Sequence, residues 1–337
     1  MKKYFFPLLV LVLVTAGFFF RSHDACHKTS GQAQGTTYSV VYFAPANMYL
    51  DDTIQKILQY FDKSLSSYIG NSIISRINSN DTLVQTDELF NDVFILSKDI
   101  FRLSDGAFDI TVAPLVNAWG FGWKKNKFPD KHVIDSIMEF VGMDKVKLDK
   151  NRIIKTDPRV QIDVNAVAQG YSVDIIARFL EKEGIGNYLV EVGGEVKCKG
   201  TKEKNKPWRI GIEKPDENND IYDRPLQATV KLKNKSLATS GNYRKFYEKN
   251  GVKFVHTINP KTGKTIQSNL LSASVIADDC AKADALATTF MVLGLEKSTE
   301  LVKTLPDIEV YFIYSDEKGA FKTWSTTGFQ NLVEEIN

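Results

Sequence analysis

One stretch restricts the possible folds more than any other. Residues 271–294 read LSASVIADDCAKADALATTFMVLG. A β-like run up to Ala277 meets Asp278 and Asp279, and an alanine-rich helix follows, ending at Gly294. A short carboxylate satisfies the free N–H groups of a first helical turn, so Asp278 or Asp279 is the expected cap. Gly294 suits the position after a helix, where positive φ is common. Ala281, Ala283, Ala285 and Ala287 are small, so another part of the chain or a ligand can approach closely. Asp284 and Thr288 lie four apart, hence on one face, and both are mediocre helix formers. Taken alone, the pair reads as a solvated Asp and a back-bonded Thr. The other reading is two oxygens offered to a hard cation such as Mg²⁺ or Ca²⁺.

The surrounding pattern sets the fold class. Residues 36–43 (TTYSVVYF) are strand-like. Helical spacing marks residues 50–65, 88–104 and 171–183, with shorter helices near 127–141 and 297–305. Strands are expected at 160–164, 188–192, 196–199, 208–213, 227–232 and 237–240, and hairpins over 146–155, 243–255 and 309–324. Strands thus come in runs rather than in strict βαβ alternation. This predicts an α+β fold: a single large domain, a mostly antiparallel sheet, flanking helices and a ligand site between sub-lobes. A length of 337 residues with 43% apolar content is enough for that core. Residues 105–122 (DGAFDITVAPLVNAWGFG) lack a period and read as a segment that lines something or wraps a core corner.

At the N-terminus, Lys2 and Lys3 precede an apolar run over residues 4–20. Residues 1–26 therefore read as an export signal or an N-terminal membrane anchor. His23, Asp24 and Ala25 before Cys26 make a poor lipidation site, so the chemistry of the tether stays open. Residues 27–34 are polar and are expected to form a linker. The expected location is the periplasmic side of the inner membrane.

Several classes are excluded. A net charge of +2 gives no field for nucleic acid. Cys26, Cys198 and Cys280 are far apart, which argues against a disulfide framework and against structural zinc. Cys280 is expected as a small buried hydrophobe. His132 and His256 are the only histidines in the globular part, too few for a histidine-rich metal site. No phosphate loop, dinucleotide fingerprint, HExxH or GxSxG occurs. What remains is oxygen chemistry from Asp109, Asp163, Asp284, Thr288 and turn carbonyls. Tyr68, Phe108, Trp119, Phe121 and Trp123 either stack on a flat ring or fill the core.

Six ordered blocks then carry a resemblance: GAFDITVAPLVNAWGFG, DVNAVAQGYSVD, EVGG, TSGNYR, HTINPKTG and AKADALATTFMVLG. Together they resemble the ApbE family, the FAD:protein FMN transferases, over about residues 35–328, within a domain of residues 35–337. The resemblance implies an exported enzyme that cleaves FAD with Mg²⁺, transfers FMN to a Thr or Ser of a target flavoprotein and releases AMP. It implies a metal site of Asp284, Thr288 and the backbone oxygen of Ala166. Nucleotide contacts would fall on Tyr68, Ala107, Phe108, Asp109, Asp163, Gln169, His256 and Ile258. Gln34 stands where the family often has a flavin-lining Met. Gln169 replaces a lysine or glutamate, so a charge near the nucleotide is lost. His256 is implied to assist the chemistry alongside Asp284, and its ordinary pKa near 6.5 suits a base. Its alternative is a turn residue donating to a carbonyl. Arg244 is expected either on a phosphate or in a surface ion pair. The alternative activities are an FAD pyrophosphatase giving FMN and AMP, and an exported FAD-binding protein without chemistry.

Overall fold

The computed structural model describes residues 24–122, 128–202, 205–215, 225–242, 246–249 and 252–336. Two hairpin strands, β1 (Ala25–Ala33) and β2 (Thr36–Ala44), open it. Helices α1 (Asp51–Leu65), α2 (Ile73–Asn78), α3 (Glu88–Leu103), α4 (Ala113–Ala118) and α5 (Lys131–Met138) follow. The hairpin β3 (Val146–Asp149) and β4 (Arg152–Lys155) leads to the long α6 (Asn165–Lys182). Next come β5 (Tyr188–Val192), β6 (Glu195–Lys199), β7 (Trp208–Glu213), β8 (Leu226–Leu232), β9 (Ser236–Gly241), β10 (Phe246–Lys249), β11 (Val252–Val255) and β12 (Leu270–Ala277). Helix α7 (Cys280–Val302), β13 (Glu309–Ser315), β14 (Phe321–Ser325), α8 (Thr327–Gln330) and β15 (Val333–Glu335) complete the described chain.

Eight strands form one sheet in the order β1-β2-β5-β6-β9-β12-β13-β14, with antiparallel ladders throughout. The expected α+β class with a mostly antiparallel sheet is what the chain forms. Period-two alternation gives the sheet two covered faces. On β2, Tyr38, Val40 and Tyr42 pack toward α1 and α6, while Val41 and Phe43 turn to the opposite face. On β13, Val310 and Phe312 join the helical core, whereas Tyr311 and Ile313 meet Trp208 and Phe329. The second face is covered by the three-stranded sheet β15-β8-β7. Sheet and helix layers therefore leave β12 and α7 in the middle of the main core.

Four expectations need correction. Residues 27–34 are not a linker: β1 pairs in full register with β2, from Ala25↔Ala44 to Ala33↔Thr36. Its residues alternate but are polar on both faces, as an edge strand allows, so no apolar signal marks it. Residues 160–164 form no strand, only a bridge between Gln161 and Val112. Helix α6 begins at Asn165, six residues before the expected start, because Gly170 packs against α7 instead of breaking the helix. Neither Asp278 nor Asp279 caps α7 with its side chain. That part falls to Asp174 of α6, whose carboxylate accepts from the backbone N–H of Cys280 (3.1 Å) and of Ala281 (2.9 Å). Gly294 (φ 75°, ψ 175°) leaves helical geometry as expected, but the chain resumes as helix to Val302. The signal or anchor expected over residues 1–26 lies, for residues 1–23, outside the described residues. Among the described residues no helix is long and apolar enough to cross a membrane.

Candidate functional site

A cavity of about 470 Å³ opens where α6, α7, the sheet and the loop of residues 256–260 meet. Each side of it is built by a different local device. The tip of the β1–β2 hairpin turns through Gln34 (φ 54°) and Gly35 (φ 73°), which places Gln34 in the wall. Both polar atoms of the Gln34 amide are buried without a hydrogen-bond partner among the described residues. The segment after α1 carries Tyr68, which is 66% exposed at the rim.

Ala107, Phe108 and Asp109 form a second side. Asp109 is buried, and burial pushes its carboxyl up. Its oxygens accept from Thr111 Oγ1 (2.6 Å), Thr111 N (2.7 Å) and Met143 N (3.2 Å). Asp109 thus ties the segment together while touching the cavity. Asp163 N donates to the Ile110 carbonyl at 2.7 Å, which zips this segment to the start of α6. Asp163 itself accepts from Asn165 N at 2.8 Å. Ala166 and Gln169 follow one turn apart on the cavity side of α6.

Opposite stands α7. Asp284 is buried, and desolvation pushes its carboxyl up to about 7. One of its oxygens, Oδ2, accepts from Gly170 N at 3.0 Å. In a regular helix that same N–H would be aimed at the carbonyl of residue 166. The bond therefore places the Asp284 carboxylate beside the Ala166 peptide. One turn on, Thr288 Oγ1 shares a 3.1 Å hydrogen bond with Ser240 Oγ of β9. Beneath them Glu195, the first residue of β6, is 7% exposed. Burial and the Asp284 charge push its carboxyl well up. His256 and Ile258 close the remaining side. Their loop is held by Trp119 Nε1, which donates to the Gly263 carbonyl at 2.8 Å. The Phe121 ring meets His256 edge-on at 6.4 Å between ring centroids.

The structure thus brings Gln34, Tyr68, Ala107, Phe108, Asp109, Asp163, Ala166, Gln169, His256, Ile258, Asp284 and Thr288 to one cavity. Of the aromatic candidates, Tyr68, Phe108 and Phe121 line it, but Trp119 does not. Trp119 is buried and stacked on Phe254, so it braces the wall from behind. Trp123 and Arg244 lie outside the described residues. Sequence reasoning missed Glu195 and Ser240, which also face the cavity. Glu195 directly follows the EVGG block and had that one local cue; Ser240 had none beyond its block.

The lining has a chemical bias. No Lys or Arg is found among its described residues. No three His, Cys, Asp or Glu side chains come together there or elsewhere among the described residues as a metal cage. A cation at Asp284 would therefore depend on hydroxyl, backbone, water and phosphate oxygens. That donor set suits Mg²⁺, which keeps part of its shell for waters and substrate phosphates. Rings at one side and oxygens at the other make this the site of a protein that takes a ligand with a flat ring and phosphates.

Comparison with known proteins agrees. Residues 34–312 match the ApbE family. The chain is 36% identical over 330 residues to the FAD:protein FMN transferase of Haemophilus influenzae, covering 92% of this chain and 94% of that protein. It is 37% identical over 297 residues to the FAD:protein FMN transferase of Escherichia coli, covering 86% and 83%. The flavin transferase ApbE from Vibrio cholerae superposes with a TM-score of 0.81 at 30% identity, over 92% of this chain and 99% of that one. The chain belongs to the ApbE family.

Proposed function

We propose that this protein is a Mg²⁺-dependent flavin transferase that moves the FMN part of FAD onto a Thr or Ser hydroxyl of an acceptor flavoprotein and releases AMP. The observation that carries the reading is the convergence of the family blocks on one cavity with carboxylate and hydroxyl oxygens but no Lys or Arg among its described lining. A pyrophosphate entering it meets negative charge and needs a cation to be held.

In this reading Asp284, Thr288 and the Ala166 carbonyl would hold Mg²⁺. When bound, the ion supplies neutralisation of the phosphoryl oxygens. Tyr68, Phe108 and Phe121 offer ring faces to the flavin or adenine. The acceptor hydroxyl oxygen forms the new bond to the FMN phosphorus as the bridging P–O bond breaks and AMP leaves. His256 takes the hydroxyl proton. The apolar run behind Lys2 and Lys3 supports export and attachment at the periplasmic face of the inner membrane, where exported flavoproteins would be the partners.

Incubation with FAD, Mg²⁺ and an acceptor bearing an exposed Thr tests the proposal. Covalent fluorescent flavin on the acceptor, with one AMP per flavin, is expected. AMP and free FMN without labelled acceptor would indicate a pyrophosphatase; unchanged FAD would indicate a carrier. Asp284→Ala is expected to abolish Mg²⁺-dependent turnover.

A further inference from the structure

Glu195 has no assigned part in the reaction, yet its surroundings are unusual. Its side chain is 7% exposed, it lines the cavity, and its Oε2 has no hydrogen-bond partner among the described residues. A buried, unpartnered carboxylate oxygen is costly, and one that lines an open cavity is placed to be completed by a ligand. The nearby cation cannot do so. Lys197, two residues along β6 and therefore on the same face, is engaged instead by Asp174 at 2.7 Å and Asp279 at 3.5 Å. Across the cavity stands Asp284, a second buried carboxylate, with one oxygen on Gly170 N. The two carboxyl groups share one cavity with no Lys or Arg among the described residues lining it.

We propose that Glu195 is a further ligand of the divalent cation held at Asp284, closing the site from the sheet side. The inference rests on the Mg²⁺ reading above and goes beyond it in one respect. With a second carboxylate, the site carries enough charge to take the cation from solution before any nucleotide arrives. Oxygens would then come from β6 as well as from α6 and α7, so the ion would bridge sheet and helix layers.

The test is Mn²⁺ titration of the full-length, nucleotide-free protein, followed by the electron paramagnetic resonance signal of free Mn²⁺. Wild type is expected to bind, Glu195→Gln to bind at least tenfold more weakly, and Asp284→Ala to lose binding. Glu195→Gln should keep the wild-type circular dichroism, and its metal-free melting temperature should not fall, since the amide has nearly the same shape as the carboxyl it replaces. Glu195→Asp, with a shortened carboxylate, should bind more tightly than the Gln variant. Glu195→Gln affinity within twofold of wild type would overturn the Glu195 assignment and leave the Asp284 site standing. Absence of Mn²⁺ binding by nucleotide-free wild type, with Mg²⁺-dependent transfer intact, would overturn it likewise. Transfer that persists in excess chelator would overturn the metal reading and this inference together.

Discussion

Gly170 and Asp284 meet backbone to side chain: the Gly170 N–H donates to Asp284 Oδ2 at 3.0 Å across 114 residues of sequence. The contact requires glycine. A Cβ on residue 170 would stand 2.5 Å from the Cys280 carbonyl oxygen and 2.8 Å from Asp284 Cβ. Backbone cannot swing aside as a long side chain can, so Gly170→Ala must push α6 from α7. A destabilisation of about 1–3 kcal/mol is expected from such overpacking, with loss of cation binding at Asp284. Urea unfolding and Mn²⁺ titration check both; unchanged values would show that the helices adjust freely.

Asp174 should be the more severe site for stability. It is buried, binds Lys197 at 2.7 Å and supplies the acceptor for the first turn of α7. Asp174→Ala leaves two N–H groups without their acceptor and Lys197 with only the longer Asp279 contact at 3.5 Å among the described residues. Breaking a buried pair in this way costs about 3–5 kcal/mol. Pairing it with Lys197→Met should recover part of the loss. A cost below about 1 kcal/mol in denaturant melts would mean that α7 does not depend on this cap.

For His256 the expected effect is on rate. His256→Asn should lower kcat for FMN transfer by about 10²–10⁴-fold, the usual worth of a positioned base, with little change in KM for FAD. Steady-state kinetics with a saturating acceptor separate the two. A raised KM with intact kcat would assign His256 to binding alone.

Lys155 offers a pH test away from the cavity. Burial lowers its ammonium to about 8, and among the described residues its amine donates to Asn80 Oδ1 at 3.0 Å and to no carboxylate. The folded state thus favours the neutral amine, and the unfolded chain keeps its proton to higher pH. Stability from this group is present above the unfolded value and is lost as pH falls through about 8. Lys155→Met should therefore be more stable than wild type at pH 7, by about 1 kcal/mol after allowing for partial exposure. The advantage should vanish near pH 10.5. Melting temperatures of both proteins across that range decide it; a constant difference would refute the linkage.

Thiol chemistry gives a fifth expectation. Cys26 is exposed, whereas Cys198 and Cys280 are buried. Burial pushes the Cys198 thiol up to about 11 and raises that of Cys280 as well. Since the thiolate is the nucleophile, iodoacetamide at pH 8 should label native protein at Cys26 alone and all three cysteines after unfolding. Peptide mass spectrometry reads the sites, and rapid native labelling of Cys198 would contradict the packing.

Much of this architecture could be read from local pattern. The strands of β2, β5, β12 and β13 alternate because each face of the sheet has its own core. Asp284 and Thr288 stood out as poor helix formers on a face of alanines. What escaped notice depends on distant partners. Strand β1 has no apolar stripe, because only pairing with β2 makes it a strand. Capping by Asp174 joins positions 106 residues apart. Glu195 sits on a strand whose period is ordinary, and only its depth and its neighbour across the cavity single it out.

The pairing of β1 along its whole length also has a mechanical side. From Gln34 at the cavity to Ala25 at the far end is about 30 Å of extended chain, locked into the sheet by an unbroken ladder. That strand is a strut. A pull at residue 24 loads the β1–β2 ladder in shear, across many hydrogen bonds at once, and the cavity stays a fixed strand length from that end. Trimming the chain at residue 35 to shed an apparent tail would remove the strut and leave the rim of β2 bare.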